Sequence, residues 1–242
     1  MAVALIVAAG RGERLGSGRP KALVPLYGRP MLEWSVVALR AVPAVQQIVV
    51  ALPAEALDAA PAGVIAVAGG DQRSHSVRAA LAASGGGDPV IVHDAARPLA
   101  ETELFEQALE ELERSQADAV IAAAPVSDTI KECAEDGRTV ARTLDRSRLW
   151  AIQTPQVFRR AALERALSGT DAELARATDD AWLVEQAGGV VRILGSGPGN
   201  LKVTTPQDLR VAELLLSDRL GEARPGSERP ADVETSRWGR PG

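Results

Sequence analysis

The chain has 242 residues, 46% of them hydrophobic, which is enough to bury a large core in one α/β domain or two small ones. Its formal net charge of −5 argues against a general binder of nucleic acids or of membrane surfaces. Its one cysteine, Cys133, excludes a disulfide framework within the chain and is typical of a reducing compartment, so we expect a cytoplasmic protein. No apolar run approaches the roughly 20 residues of a membrane span.

The first apolar run, at 3–8, predicts a buried strand. We interpret it as a core strand and not as a secretion signal, because no basic residue precedes it and Arg11 follows it closely. A glycine-rich loop comes next and contains Gly10, Gly12, Gly16 and Gly18 among Arg11, Arg14, Arg19 and Lys21. Glycines let backbone N–H groups approach phosphate oxygens, so the loop predicts a polyphosphate site. A glycine-rich turn with solvated arginines is the simpler alternative.

This loop matches neither of the two common phosphate-binding patterns. Leu15 stands where a dinucleotide fingerprint needs its third glycine, and Ala22 follows Lys21 where a Walker loop needs Ser or Thr. The apolar run at 48–53 also ends without the acidic residue that holds a ribose in dinucleotide sites. The remaining pattern is G-x-G-x-R followed by Pro20 and Lys21.

Strand-like runs alternate with helical patterns along most of the chain. The strand-like runs lie at 3–8, 47–52, 64–67, 89–92, 118–124 and 190–194, and the helical patterns lie at 31–42, 76–84 and 102–115. Such alternation predicts a three-layer α/β fold with a mostly parallel sheet covered on both faces. Ligands of these sheets bind beyond the carboxyl ends of the strands, where the segments AAGRG, AGGDQR and HDAARP follow three of the runs.

Residues 126–150 interrupt the alternation with a polar sequence that predicts a β-hairpin turning at 135–137. An arm that reaches toward a second subunit is the simplest interpretation. Further on, Thr205 as N-cap and Pro206 at the first helical position predict the start of a final helix. The last segment, 222–242, is rich in Pro, Gly and charge, so we expect it to be disordered.

Several cations and one carboxylate surround the predicted phosphate site. Asp94 follows an apolar run, where a carboxylate can hold Mg²⁺ against phosphates or cap a helix. Arg97 can neutralise a phosphate or form a surface ion pair, and Lys202, on a short predicted strand, can be catalytic or merely solvated. His93 beside Asp94 suggests a nucleophilic triad, but the chain has no G-x-S-x-G elbow. The pattern favours phosphoryl or nucleotidyl transfer, in which catalysis is mainly positioning and charge stabilisation.

Seven segments in one order carry a resemblance to a known family. They are AAGRGERLGSGRPKALVPLYGRPML (8–32), GGDQRSHSV (69–77), VHDAARP (92–98), PVSDTIK (125–131), TLDRSRLWAIQTPQVF (143–158), ATDDA (177–181) and GNLKVTTPQDL (199–209). Together they resemble the 2-C-methyl-D-erythritol 4-phosphate cytidylyltransferases of the non-mevalonate isoprenoid pathway. The resemblance implies a Rossmann-like nucleotidyltransferase domain over 1–221, with a protruding β-arm at about 126–150.

The resemblance also implies the reaction of CTP with methylerythritol phosphate to give CDP-methylerythritol and pyrophosphate. The implied nucleotide-binding residues are Ala8, Ala9, Gly10, Gly12, Arg14, Lys21, Gly70, Asp71, Ser76 and Ala95. The implied catalytic residues are Arg14, Lys21 and Lys202. The implied acceptor-binding residues are Asp94, Arg97, Thr129, Arg146 and Thr154, with Asp94 also holding Mg²⁺. In a homodimer of this family the arm would bring Thr129 and Arg146 into the partner's site.

Three other functions compete with this one. A ribitol 5-phosphate cytidylyltransferase would share the loop, the aspartate and the chemistry, and would differ in the polyol. A sugar-1-phosphate nucleotidyltransferase is less favoured, because the region after Lys202 is short. A nucleotide-binding regulator without activity is disfavoured by the presence of Arg14, Lys21, Asp94 and Lys202 together.

Overall fold

The fold is taken from a computed structural model that describes residues 1–10, 12–16, 18–197 and 199–221. The strands are β1 Ala2–Val7, β2 Pro25–Leu26, β3 Arg29–Pro30, β4 Val45–Leu52, β5 Ile65–Ala68, β6 Val90–Asp94, β7 Ala119–Pro125, β8 Lys131–Cys133, β9 Val140–Thr143, β10 Trp150–Phe158 and β11 Val191–Gly195. The helices are α1 Met31–Arg40, α2 Arg73–Ala83, α3 Thr102–Ser115, α4 Arg160–Ala166, α5 Asp171–Leu174, α6 Asp180–Gln186 and α7 Pro206–Leu220. The expected disorder of 222–242 concerns residues outside this description and stays a prediction.

Seven strands form the central sheet, in the order β11-β7-β10-β6-β1-β4-β5. All neighbouring pairs are parallel except those of β10, which runs antiparallel to β6 and to β7. The six strand-like runs of the sequence correspond to β1, β4, β5, β6, β7 and β11, so the prediction of a mostly parallel sheet is confirmed. The sequence does not predict β10, because Gln153, Pro155 and Gln156 interrupt its apolar pattern.

Helices cover both faces of the sheet and complete a three-layer core. Alternate residues of β1 point to opposite faces, so that Ile6 packs in the core under α1 and α3 while Leu5 packs under α2, α4 and α6. Phe105 of α3 and Phe158 of β10, one in each core, are completely buried. Burying a side chain of this size contributes roughly 1.5–3 kcal/mol of transfer free energy.

A third and smaller core joins the glycine-rich loop to the last helix. Leu15 of the loop and Leu26 of β2 share this core with Val203 and with Leu216 of α7. The final helix begins as predicted, since Thr205 as N-cap and Asp208 in the first turn form a reciprocal capping box, with Pro206 at the first helical position. This core therefore links the segment that contains Lys202 to the loop that contains Arg14.

The polar segment after β7 forms the predicted hairpin. β8 and β9 pair antiparallel, and every residue of both strands is exposed. Asp136 closes the turn, because its carboxylate accepts hydrogen bonds from the backbone N–H groups of Arg138 and Thr139, each at 2.8 Å. A two-stranded hairpin exposed on all sides has little stability of its own, so this arm depends on its anchorage to the sheet or to another surface.

Residues 201–204 correct one expectation of the sequence. The short strand predicted around Lys202 does not form, because these residues pair with no strand of the described chain. The expected alternation is nevertheless present, since Val203 is buried and Lys202 is exposed. The backbone N–H of Val203 donates to the carbonyl of Ala96 at 2.8 Å, and this bond holds the segment against the sheet edge.

Within the described chain, no helix combines the length and the apolar character needed to cross a membrane.

Candidate active site

A cavity of about 430 Å³ opens at the carboxyl ends of the central strands. The loops that follow β1, β5 and β6 form it together with the segment around Lys202, as the alternating sequence pattern predicts. Twelve of the residues named from the sequence line it: Ala8, Ala9, Gly10, Gly12, Arg14, Lys21, Gly70, Asp71, Ser76, Asp94, Ala95 and Lys202. Arg73, Gln72 and Thr204 line it as well, and sequence reasoning assigned no role to them.

The glycine-rich loop closes tightly on Lys21. Gly12 has a φ of +69°, and a Cβ atom built on it would lie 2.6 Å from the Cβ of Lys21. The N–H of Lys21 donates to the carbonyl of Gly10 at 3.3 Å. A side chain at position 12 would therefore clash with Lys21 and displace it.

The loop after β5 packs directly against the loop after β1. A Cβ atom on Gly69 would lie 2.3 Å from the Cβ of Ala9, so only glycine allows this approach. In the same loop the N–H of Gly70 donates to Ser76 Oγ at 3.1 Å. The backbone at 69–70 is thus held in place before any ligand arrives.

Lys21 lies half-buried among other cations. Burial, followed by the charges of Lys202 and Arg14, lowers the pKa of Lys21 to about 8. All three groups line the cavity, and their positive charge favours a multiply charged anion there.

Asp94 is the buried carboxylate at the centre of the site. Its Oδ1 accepts a hydrogen bond from Arg73 Nε at 3.0 Å, and its Oδ2 accepts one from Lys202 Nζ at 2.7 Å. Burial alone would raise the pKa of Asp94, but the charges of Arg73 and Lys202 outweigh it and hold that pKa well below its usual range. Asp94 is therefore ionised at physiological pH.

A second carboxylate, Asp180, lies behind Arg73. Arg73 Nη1 donates to Asp180 Oδ2, and the Asp180 side chain has no exposed surface. Burial raises the pKa of Asp180, while the two carboxylates together raise the already high pKa of Arg73. Sequence reasoning assigned no role to either residue, because the two lie in separate motifs, 107 positions apart.

His93 supports the site without entering the cavity. Thr154 Oγ1 accepts a hydrogen bond from the backbone N–H of Asp94 at 3.0 Å and donates one to His93 Nδ1, which lies 3.1 Å away. His93 Nε2 then donates to the carbonyl of Arg97 at 3.2 Å. Burial lowers the pKa of His93 to about 4, so the ring is neutral and both of its nitrogens are occupied. This arrangement argues against a nucleophilic triad.

A second cavity of about 300 Å³ adjoins the first. The two cavities share Arg73, Asp94 and Lys202. Arg97 and Thr154, which the sequence assigned to an acceptor, line the second cavity. The guanidinium of Arg97 donates to the carbonyl of Asn200 at 2.7 Å, so it also anchors the segment that leads to Lys202.

Thr129 and Arg146 lie outside both of these cavities. Both side chains are exposed at the base of the arm, where Arg146 donates to the carbonyl of Ser127. The structure of one chain therefore does not bring them to that chain's own site.

The residues at this site allow a magnesium ion to be bound in only one way. Within the described ranges, no three Asp, Glu, His or Cys side chains cluster closely enough to hold a metal ion. Asp94 lines both cavities and is ionised. Mg²⁺ commonly takes one or two carboxylates and completes its shell with phosphate oxygens and water. Asp94 therefore fits as a single protein ligand beside a bound polyphosphate, through the oxygen Oδ2, once Lys202 releases it.

Fold and site together define an α/β nucleotidyltransferase: a mostly parallel sheet, a glycine-rich loop after its first strand, and Lys21 and Lys202 in the same cavity as Asp94. The model of the family described as 2-C-methyl-D-erythritol 4-phosphate cytidylyltransferase (IspD) matches residues 2–218. The chain belongs to this family.

Relatives from several bacteria share sequence and fold with most of the chain. The enzyme of Rhodococcus jostii is 45% identical over 89% of this chain and 95% of its own length, and that of Frankia casuarinae is 47% identical over 88% and 80%. The crystal structure of the Thermus thermophilus enzyme has a TM-score of 0.74 and 33% identity, covering 89% of this chain and 98% of that one. The 4-diphosphocytidyl-2C-methyl-D-erythritol synthase of Anaerococcus prevotii has a TM-score of 0.77, 27% identity and coverages of 90% and 98%.

Proposed function

We propose that the protein transfers CMP from CTP to 2-C-methyl-D-erythritol 4-phosphate in the synthesis of isoprenoid precursors. The products are 4-diphosphocytidyl-2-C-methyl-D-erythritol and pyrophosphate. The observation that carries the proposal is the junction of the two cavities at Asp94 and Lys202. A nucleotide in the first cavity and an acceptor in the second would meet there, and membership of the family supplies the identity of both.

The reaction needs positioning and charge more than it needs a base. An oxygen of the acceptor phosphate forms a new bond to the α-phosphorus of CTP, and the bond to the β-phosphate breaks to release pyrophosphate. A phosphate monoester has a second pKa of about 6, so the attacking group is mostly dianionic at pH 7. No side chain has to remove a proton from it.

The cations of the site stabilise the charge that gathers on the α-phosphoryl group. Lys21 and Arg14 lie at the glycine-rich loop, on the nucleotide side, and Lys202 lies at the junction. In the free protein Lys202 is paired with Asp94, yet its side chain remains 45% exposed. It can therefore exchange the carboxylate for a phosphoryl oxygen without moving the backbone.

We assign the base and ribose to the loop at 69–76. The fixed backbone of Gly70 lines the nucleotide cavity together with Asp71 and Ser76, and none of these three residues lines the second cavity. Backbone carbonyls that accept from the cytosine amino group would reject uracil, which presents an acceptor at that position.

Magnesium and the arm complete the proposal. Asp94 would hold Mg²⁺ against the phosphates, and the ion would neutralise part of their charge. In a homodimer, the exposed arm would carry Thr129 and Arg146 to the acceptor cavity of the partner subunit. Two features support that role: the arm has no core of its own, and neither side chain reaches the site of its own chain.

Pyrophosphate release from CTP tests the function directly. The assay compares 2-C-methyl-D-erythritol 4-phosphate with ribitol 5-phosphate, using wild-type protein and the Lys202→Ala variant. Arg192→Ala is the control, because Arg192 forms a surface ion pair with Glu111 away from both cavities.

We expect turnover with the methylerythritol phosphate, a loss of about a hundredfold or more in kcat for Lys202→Ala, and wild-type rates for the control. Faster turnover with ribitol 5-phosphate would identify that compound as the acceptor in place of the methylerythritol phosphate. CTP binding without pyrophosphate release would instead make the protein a nucleotide-binding regulator.

A further inference from the structure

The ion pair behind the catalytic carboxylate has an unusual geometry. Arg73 gives Asp94 only its Nε group, at 3.0 Å, and gives its Nη1 group to Asp180. Arginine beside a carboxylate frequently binds both oxygens at once through two neighbouring N–H groups. Here the Nη2 group, which could complete such a fork, is buried and makes no hydrogen bond.

We propose that Asp180 is a positioning residue that restrains Arg73 to one oxygen of Asp94 and keeps the other oxygen available for Lys202. This inference rests on the proposed function, because it concerns the same site. Asp180 acts through Arg73 and touches no substrate, since it lines neither cavity while Arg73 lines both.

The structure supplies three arguments for this restraint. Asp180 is fully buried at the start of α6, so its carboxylate is held by the packed core rather than by solvent. Its neighbour Asp179 caps α6 by accepting from the N–H of Trp182 at 2.8 Å, which fixes the backbone that presents Asp180. The Asp180 contact also leaves one of its own oxygens, Oδ1, buried without a hydrogen bond. A group of this kind costs stability, so its presence is explained by what it does to Arg73.

The consequence for chemistry follows from the two oxygens of Asp94. With Asp180 present, Oδ1 serves Arg73 and Oδ2 serves Lys202. Without the restraint, Arg73 is free to turn its Nη2 group toward Oδ2 and displace Lys202. The guanidinium of Arg73 would then bind both oxygens of Asp94. Lys202 would lose its fixed position at the junction of the two cavities.

The test compares Asp180→Asn with a double variant. Asp180→Asn keeps the shape and removes the charge that holds Arg73. The double variant Arg73→Gln with Asp180→Asn also removes the fork-forming guanidinium. The control is Asp171→Asn, because Asp171 forms an exposed ion pair with Arg78 of the same helix as Arg73.

We expect Asp180→Asn to lower kcat at least about tenfold while KM for CTP changes less than about threefold, because the glycine-rich loop is untouched. We expect the double variant to have a higher kcat than Asp180→Asn alone, although it carries one more substitution. A merely structural role would restore thermal stability together with kcat, because removing both partners of a buried ion pair relieves the uncompensated charge. Thermal unfolding of each variant is therefore measured, and rates are compared well below every unfolding temperature, where a structural role would leave kcat unchanged. Asp171→Asn should behave as wild type.

Two outcomes overturn the inference. One is an Asp180→Asn variant with wild-type kcat, and the other is a double variant that is no faster than the single one. If Asp180→Asn does not fold, Asp180→Ser replaces it, because serine also removes the carboxylate that holds Arg73 and leaves the guanidinium in place. A wild-type kcat for Asp180→Ser then overturns the inference. Failure of the proposed function is seen separately, as a wild-type protein that releases no pyrophosphate.

Discussion

The low pKa of Lys21 predicts a loss of activity at alkaline pH. Burial and the neighbouring cations place this pKa at about 8, so the ammonium charge proposed to meet the triphosphate disappears above that pH. The protonated fraction falls from about nine tenths at pH 7 to about one tenth at pH 9. We therefore expect kcat/KM for CTP, measured at saturating acceptor, to fall about tenfold between these two pH values.

The same titration acts on stability with the opposite sign. Because the pKa of Lys21 is lower in the folded protein than in the unfolded chain, the unfolded chain binds more protons between about pH 8 and 10.5. The contribution of Lys21 to the free energy of unfolding therefore rises with pH across this window. Loss of activity at pH 9 cannot then be a consequence of unfolding driven by Lys21, and thermal unfolding at each pH checks this.

Lys21→Arg supplies the decisive comparison. A guanidinium remains charged at pH 9, so the variant should have a lower rate than wild type but no decline between pH 7 and 9. The measurement is initial-rate pyrophosphate release at varied CTP. A variant that declines as steeply as wild type would refute the role of the Lys21 charge, and so would a wild-type kcat/KM that stays constant up to pH 10.

Three further predictions concern the loop, the arm and the core. Gly12→Ala should lower kcat/KM for CTP by about tenfold or more through its contact with Lys21, whereas Gly16→Ala, which has a similar φ but open space around it, should not. Arg146→Ala should chiefly raise KM for the acceptor. Random mixing of Arg146→Ala with Lys21→Ala subunits should restore about a quarter of wild-type sites if the arm serves the partner, and none if it serves its own chain. Phe105→Ala should lower the free energy of unfolding in denaturant titrations by about 3–5 kcal/mol, and a loss under about 1 kcal/mol would contradict the assignment of this residue to the core.

The sequence predicted those parts of the fold in which each segment reveals its environment locally. A strand buried on both faces is a short apolar run, as in β1 and β6, and an amphipathic helix such as α3 shows its period directly. β10 lies in the middle of the same sheet but carries polar residues that face the second cavity. Because these polar residues line a cavity, the sequence of β10 lacks the apolar pattern by which a buried strand is recognised.

The residues of the site were likewise predictable only where a local pattern reveals them. Gly12, Lys21 and Asp94 follow recognisable strands, so their meeting at one edge was predictable from topology. Arg73 and Asp180 become partners only because α2 and α6 pack on the same face of the sheet. Because that contact is tertiary, no local pattern of either segment predicts it.

The pairing of Asp94 with Lys202 also determines when, during synthesis on the ribosome, the site can be completed. The two residues are 108 positions apart, and β11, the last strand of the sheet in chain order, ends at Gly195, before Lys202. A nascent chain can therefore assemble all seven strands before Lys202 is made, whereas the glycine-rich loop gains its core partners Val203 and Leu216 only afterwards. Translation that stops between Gly195 and Lys202 would yield a complete sheet that lacks both the lysine at the junction and the core behind the loop.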